Sequence, residues 1–467
     1  MTSSISNIAS SALKNAQLGI ALTSQNVEGQ SAVGYTRRRA ELGTEKLLTS
    51  GVPNLGTGVS VAGFTRDWSA MLQQQRVSQA GVTAYHGAIV AGLTAVDAEV
   101  ADPALALDTP ANNFFASLAT LARNPTDASA LSAVKSQGTV LLAAAQHFQG
   151  SLALAQSDAK ASVADGVAKL NAIGSELAMI NKTLATTTSV IGTEPDPSTL
   201  DRRDALLMQA GSLVGGDLGV NADGLAYIFV SGQPLVNGVM AGELRATPKD
   251  SSPTSPLTLS MRFGTVGQES PPVEVALDPN SLQGSIGGQL KLASDPSMVL
   301  QPAGVADKRL TAFTDLFAAA AGQSAAGASE LTVALAALGG FNAKNTRTAA
   351  ETIELETALN LKLSNLATQT NSTDKTTGGN ALQNGLLSAW RAFEGNVGAQ
   401  VSIHQAAHSA SAAVETRLTA DFQSQSGVNL DEEAANLMRY QQSYSAASKL
   451  LQANNEMFSA LIAVVGR

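Results

Sequence analysis

The chain of 467 residues contains no cysteine. This absence excludes disulfide bonds, thiolate-bound zinc, iron–sulfur clusters and cysteine nucleophiles. The N-terminus also lacks the basic start and the continuous apolar core of a cleavable secretory signal, and no stretch approaches about 18 uninterrupted apolar residues. We therefore expect a soluble chain that, if it leaves the cell, is exported without a cleaved signal peptide.

Charged side chains are scarce as well, at 14% of the chain against roughly 25% in an average soluble protein. The net charge is −9, which argues against a surface that binds nucleic acid or an anionic membrane. A permanently free monomer normally carries more charge for solubility. The low charge therefore favours a protein whose faces are covered by copies of itself.

The N-terminal segment has the pattern of an amphipathic helix. Over residues 4–27 only Lys14 is charged, and apolar residues recur at helical spacing. On one side of this helix we expect Ile5, Ile8, Ala12, Leu18 and Leu22.

The C-terminal segment predicts a second and longer helix over residues 430–465. Asn429 can cap its first backbone amides, and Glu432, three residues later, completes a capping box. Residues at intervals of seven form an apolar stripe, with Ala447 and Leu461 at intermediate positions: Leu430, Leu437, Tyr444, Leu451, Phe458 and Val465.

Nothing else in the sequence is obviously required to cover these two helices. Six heptad residues left in water would forgo about 9–18 kcal/mol of gross burial energy. We therefore expect both ends to be disordered alone and ordered in an assembly. Alternatively, the C-terminal helix forms the core of its own domain; the matched N-terminal helix and the low charge favour packing between subunits.

The middle of the chain changes character several times. Glycines and short extended pieces predict a connector, long helical stretches follow, and alternating β-type runs appear near 225–230, 257–263 and 273–277. The predicted fold is mainly α with an inserted, small antiparallel β domain and a central helical bundle. The predicted domains are terminal coiled-coil helices (1–30 and 428–467), a connector with short strands (31–83), a helical bundle (84–200 and 288–427) and the β domain (201–287).

Candidate catalytic residues are few. His404 and His408 have the spacing of metal ligands on one helix face, but Gln405 stands where a zinc peptidase needs a glutamate base. His86 and His147 are isolated in the sequence, and the usual phosphate-binding and serine-hydrolase motifs are missing. We predict no enzyme activity, no cofactor and no metal site; a secreted zinc hydrolase is the remote alternative.

Two charge clusters have structural interpretations. Asp201 to Asp204 (DRRD) starts a short helix, where internal ion pairing is expected. Arg37 to Arg39 lack interleaved aromatic residues, so we expect them to contact a neighbouring subunit or water rather than nucleic acid.

Three motifs resemble those of the flagellar axial proteins. Residues 24–37 (SQNVEGQSAVGYTR) resemble the N-terminal motif of rod, hook and hook-associated proteins, and residues 426–444 (SGVNLDEEAANLMRYQQSY) resemble the C-terminal one. The DRRD cluster with residues 232–238 (GQPLVNG) is similar to an internal signature of the hook-associated proteins of the hook–filament junction. The order of the motifs makes the resemblance specific.

This resemblance implies a structural subunit of the bacterial flagellum, exported by the type III route and placed outside the cell. It implies an inner layer of terminal helices, a helical bundle outside it and an outermost β domain. Its implied partners are copies of itself in a ring, the hook protein, a second hook-associated junction protein, and a cytoplasmic export chaperone on Leu437 to Phe458. The resemblance leaves another axial protein as an alternative.

The candidate contact residues combine the helix stripes with the N-terminal motif. They are Ile5, Ile8, Leu18, Leu22, Asn26, Gly34, Tyr35, Leu430, Leu437, Tyr444, Leu451, Phe458 and Leu461.

Overall fold

The computed structural model describes residues 2–32, 34–44, 59–102, 106–191, 195–250, 255–263, 273–294 and 379–465. Helices dominate, with small antiparallel sheets between them, which confirms the predicted fold class. The helices are α1 (Thr2–Gly29), α2 (Ala70–Ala101), α3 (Asp108–Arg123), α4 (Ala128–Ile191), α5 (Pro197–Val214), α6 (Ser285–Ser294), α7 (Gly379–Ser426) and α8 (Leu430–Val465).

Three of the strands match the predicted runs near 225–230, 257–263 and 273–277. The strands are β1 (Arg38–Thr44), β2 (Val59–Arg66), β3 (Asp217–Val220), β4 (Ala226–Val230), β5 (Gln233–Asn237), β6 (Met240–Ala241), β7 (Glu243–Pro248), β8 (Leu257–Phe263) and β9 (Val273–Leu277), with a 3-10 turn at Pro279–Ser281. The described residues fall into two compact units. Unit 1 takes those within 1–81, 170–243 and 411–467, and unit 2 takes those within 82–169 and 244–410.

Unit 1 contains both terminal helices and two antiparallel sheets. The β1–β2 pair runs from Arg38 opposite Arg66 to Thr44 opposite Val59. The other sheet has the order β3-β4-β5-β6. The buried amide of Asn181 on α4 holds this sheet, because it donates to the carbonyls of Ala226 and Gly238 and accepts from the Ala226 N–H. Its three backbone hydrogen bonds fix α4 against β4 and the β5–β6 turn.

Unit 2 is built on a helical core with a three-stranded sheet of order β7-β8-β9. Trp390 on α7 is almost fully buried, stacks on Phe393 and meets the edge of Phe148 on α4. Large apolar residues of α2, α3 and α4 complete this core, among them Leu93, Phe114, Leu118, Leu121 and Leu141.

The structure divides the middle of the chain differently from the predicted domains. Helix α2 begins at Ala70, inside the predicted connector, because Leu72, Val77 and Ala80 bury one side of a helix that follows β2. Within 201–287, the strands form two sheets in different units rather than one domain, since alternation predicts strands but not their partners. The layers of the predicted assembly stay a prediction.

Candidate assembly surface

The two terminal helices pack against each other in antiparallel order. Gly19 of α1 faces the ring of Tyr440 on α8 so closely that a Cβ at this position would lie 2.5 Å from two ring carbons. Arg37, which follows α1, contacts Glu432 and Glu433 at the start of α8. The C-terminal end of α1 therefore lies beside the N-terminal end of α8.

One line of residues on α8 forms the seam with α1. Glu433, Ala447 and Asn454 are buried and Tyr440 is half-buried, and all four recur at intervals of seven. On α1 the buried residues are mostly small or polar: Ala9, Ala16, Gly19, Leu22, Thr23 and Asn26. Small residues allow the helix backbones to approach closely, so this seam is narrow.

The predicted apolar stripe lies beside this seam rather than in it. At about 100° per residue, Leu451 is turned by about 40° from Ala447, and Leu450 is turned by about 60° to the opposite side. We call the two sides the first margin (Leu430, Leu437, Tyr444, Leu451 and Phe458) and the second margin (Leu450 and Met457). Leu437 and Leu451 are half-buried, and the other margin residues are exposed, with Phe458 at 53%.

The candidates on α1 have mixed positions. Leu22 is buried, Ile8 is half-buried and Leu18 is exposed. The side chains of Ile5 and Leu461 lie outside the described residues. Because α1 covers only the middle of the apolar face of α8, both margins stay partly exposed within the described part of the chain.

An ion-pair joint fixes the start of α8 to the chain that follows α1. The Arg37 guanidinium donates from Nη1 to Glu432 at 2.7 Å and from Nε to Glu433 at 2.8 Å. Glu433 is only 2% exposed. Burial alone would lower the pKa of Arg37, but Glu433 and Glu432 raise it above its ordinary value, so this charge is firmly held.

Two predictions are corrected here. Arg37 to Arg39 were expected to contact a neighbouring subunit or water, but Arg37 and Arg38 are largely covered and pair with carboxylates of their own chain, Arg37 as above and Arg38 with Asp201. Arg39 pairs with Asp67, and 62% of its side chain stays exposed to water as expected. Glu432 binds Arg37 instead of completing a capping box. The cap itself is present, because the Asn429 side chain accepts from the Asp431 N–H.

Asn26 and Tyr35 hold the turn that leaves α1. Asn26 donates to the Arg38 carbonyl and accepts from the Arg38 N–H, and Tyr35 donates its hydroxyl proton to the same Asn26 oxygen at 2.9 Å. Burial raises the pKa of Tyr35, so the phenol remains a donor. Gly34 adopts the left-handed region with φ +86°, which favours glycine. The motif residues therefore shape this turn, and their contact with other subunits stays a prediction.

Within the DRRD cluster, Arg203 and Asp204 pair with each other, as predicted, whereas Asp201 pairs with Arg66 and Arg202 pairs with Glu176, both outside the cluster. Asp201 accepts from Thr36 and Arg66, while Asp204 accepts from Arg66 and from both Nε and Nη2 of Arg203. Arg66 and Arg203 also lie over the Trp68 ring, each at 5.6 Å. Three motifs that are far apart in the sequence thus meet in one part of unit 1. Sequence reasoning missed Arg66, Trp68 and Glu433, because their partners are distant in the chain.

The histidines of unit 2 have a different arrangement from the predicted ligand pair. His404 contacts His86 of α2 through the two Nδ1 atoms, at 2.9 Å. Within the described ranges, no three His, Cys, Asp or Glu side chains come together as a metal site, and no helix is long and apolar enough to cross a membrane. The geometry gives the zinc hydrolase alternative no support.

Comparison with known proteins gives two family matches. Residues 93–306 match the family described as the helical domain of flagellar hook-associated protein FlgK. Residues 420–464 match the family described as the C-terminal part of the flagellar basal body rod FlgEFG proteins. The second match covers most of α8.

Similar proteins carry the same description. The chain is 29% identical to flagellar hook-associated protein 1 of Escherichia coli over 62% of this chain and 52% of that protein, so this match spans about half of the relative. It is 26% identical to flagellar hook-associated protein 1 of Salmonella typhimurium over 98% of this chain and 99% of that protein. A solved structure of the flagellar hook junction protein FlgK from Burkholderia pseudomallei shares 24% identity with a TM-score of 0.44, covering 53% of this chain and 42% of that one.

Proposed function

Since the chain belongs to the family of flagellar hook-associated protein 1, we propose that it is a structural subunit that self-assembles at the hook–filament junction and adapts hook to filament. Proteins of this family are parts of the flagellum and assemble with hook components, and membership favours a structural role over an enzymatic one. The observation that carries the proposal is the pair of open apolar margins on α8.

The margins are suited to contacts between copies. Full burial of a large apolar side chain gains about 1.5–3 kcal/mol. Five margin residues are roughly half exposed, so burial of their remaining surface offers about 4–8 kcal/mol gross per subunit. They are Leu430, Tyr444, Leu450, Met457 and Phe458. Because the margins lie on opposite sides of the seam, one helix pair can meet neighbours on both sides. A ring requires such two-sided contact, since each subunit has two neighbours.

The ion-pair joint supports the same proposal. Arg37 ties α8 to the turn after α1, and Asn26 and Tyr35 fix that turn. A surface held in a fixed orientation loses little conformational freedom when it binds. The ion-pair joint therefore lowers the entropy cost of binding when the helix pair assembles.

We further propose particular partners for these surfaces. Other copies, the hook protein and a second hook-associated junction protein would contact the assembled subunit outside the cell. Before export without a cleaved signal, a cytoplasmic chaperone would cover the first margin from Leu437 to Phe458. An amphipathic helix in a partner's groove is a common way to shield such a face.

The test is a charge placed on the first margin. Phe458→Asp puts a carboxylate on an exposed residue, so the monomer should keep its fold while filament attachment is lost in a strain lacking the chain's own gene. Gln442→Asp, exposed on the far side of α8, is the matched control and should restore swimming. Normal swimming by Phe458→Asp, with unchanged filaments, would overturn the proposal.

A second comparison separates the members of the axial family. The wild-type gene should restore filaments in a strain lacking the junction protein and fail in a strain lacking the hook protein. Rescue of the hook-deficient strain alone would assign the chain to the alternative axial role.

A further inference from the structure

Unit 2 holds a histidine pair that the assembly function does not use. His86 on α2 and His404 on α7 approach through their Nδ1 atoms at 2.9 Å, with ring centroids 5.2 Å apart. Tyr85 presents its ring to both imidazoles. His404 is only 8% exposed, so solvent offers it little compensation for a charge.

Such a contact can hold one proton between its two nitrogen atoms. A neutral imidazole has one donor and one acceptor nitrogen, and the imidazolium has two donors. One Nδ1 must therefore donate while the other accepts. When both rings are protonated, two N–H groups and two positive charges face each other, and the hydrogen bond is lost.

The surroundings oppose protonation further. His408, one turn along α7, packs on Gly87 so closely that a Cβ there would lie 3.1 Å from its ring, and Lys291 comes from α6. Burial is the main cause that lowers the pKa of both His86 and His404, and each is lowered further by Lys291. His408 adds to the lowering of the His86 pKa, and His86 adds to the lowering of the His404 pKa.

We propose that His86 and His404 form a proton-sensitive contact that holds α2 against α7 in unit 2 near neutral pH and opens in mild acid. The partner is the proton itself, so the device needs no metal or other ligand. It acts within unit 2, whereas the margins and the ion-pair joint belong to unit 1.

The direction follows from proton binding. An unfolded histidine titrates near pH 6.5, and these two rings titrate lower when folded. The unfolded chain therefore binds more protons as the pH falls through about 6.5, and the stability of unit 2 decreases. Above that pH both states are neutral at these rings, and the contact contributes its full stability.

The two tryptophans make the test specific, because Trp390 lies in the core of unit 2 and Trp68 lies in unit 1. In a Trp68→Phe background, Trp390 fluorescence during urea unfolding reports unit 2 alone. When the pH falls from 7.5 to 5.5, the equilibrium constant for unfolding of unit 2 should rise. We expect this rise to be about tenfold larger in the protein with the histidine pair than in the His86→Gln/His404→Gln variant.

A matched control removes a histidine outside the pair. His147 is exposed and lies outside the pair, so His147→Gln should leave the contact of His86 with His404 intact. If the double variant does not fold, nitrogen-15 NMR of the four histidines in the native protein decides the question. Titration of His86 and His404 at or above the ordinary value, or equal pH dependence of parent and double variant, would overturn the proposal.

Discussion

Arg37 and Glu433 stand 396 residues apart in the chain, and their side chains meet at 2.8 Å beside the seam of the terminal helices. Among the described residues, the carboxylates that pair with Arg37 are Glu432 and Glu433, both distant in sequence. Their contact joins the turn after α1 to the start of α8, so that the two terminal helices form one surface. The orientation of the margins depends on this joint, because it sets where α8 starts relative to α1.

Loss of the Arg37 side chain should therefore weaken unit 1 strongly. Arg37→Met leaves Glu433 buried without its cation, and removing one partner of a buried ion pair costs about 3–5 kcal/mol. We expect faster amide exchange in α1 and α8. The double variant Arg37→Met/Glu433→Gln removes both charges and should recover part of the protection; an equally fast exchange in single and double variants would contradict the ion-pair interpretation.

The close approach at Gly19 gives a second prediction. Gly19→Ala places a methyl group within 2.5 Å of two carbons of the Tyr440 ring. Such overpacking lowers the free energy of unfolding by about 1–3 kcal/mol. Gly395 of α7 is the control, because its Cβ would meet nothing within 4 Å. Gly395→Ala should stabilise its helix by about 1 kcal/mol, as alanine does in exposed helix interiors. Urea unfolding of both variants should show these opposite signs, and a stabilised Gly19→Ala would refute the packing of α1 on α8.

Much of the secondary structure could be predicted from the sequence, whereas the contacts could not. Intervals of seven and the Asn429 cap predicted α8 at its observed bounds, and alternation predicted β8 and β9. These patterns are local. The partners of Arg37 and the pairing of His86 with His404 involve separations of hundreds of residues, so no local pattern indicates them.

The line of α8 residues that faces α1 is another feature that the sequence pattern did not predict. Large apolar residues predicted the line through Leu451, but α1 packs on the line through Ala447 and Glu433, where small or paired residues allow close approach. The apolar residues indicated which face of α8 is available for packing, but not which line of that face is buried. Steric fit to Gly19 decided which line is buried within the chain.

Asn181 gives a prediction for the sheet of unit 1. Asn181→Ala removes two hydrogen bonds to the buried backbone of Ala226 and one to the partly buried Gly238 carbonyl, and the cost should be about 2–4 kcal/mol. Thr183→Ala, an exposed change on the same helix, should stay within about 0.5 kcal/mol. Unfolding followed by Trp68 fluorescence measures both, and equal stabilities would show that the amide does not hold this sheet.

The two margins predict how defective subunits combine. If a ring forms head to tail, the first margin of one copy meets the second-margin side of the next, and each copy needs both. Phe458→Asp blocks one side and Met457→Asp blocks the other, so each variant alone should remain monomeric at concentrations where the wild type assembles. Mixed together, they still share one intact interface and should form dimers that grow no further.

Light scattering of the separate and mixed variants distinguishes the possibilities. Dimers only in the mixture support the head-to-tail arrangement. Dimers of Met457→Asp alone would mean that the first margin pairs with itself, since that variant keeps only this margin intact, and the subunits would then face each other across a two-fold axis. Unimpaired assembly of both variants would remove the margins from the interface and direct the search to other surfaces of the chain.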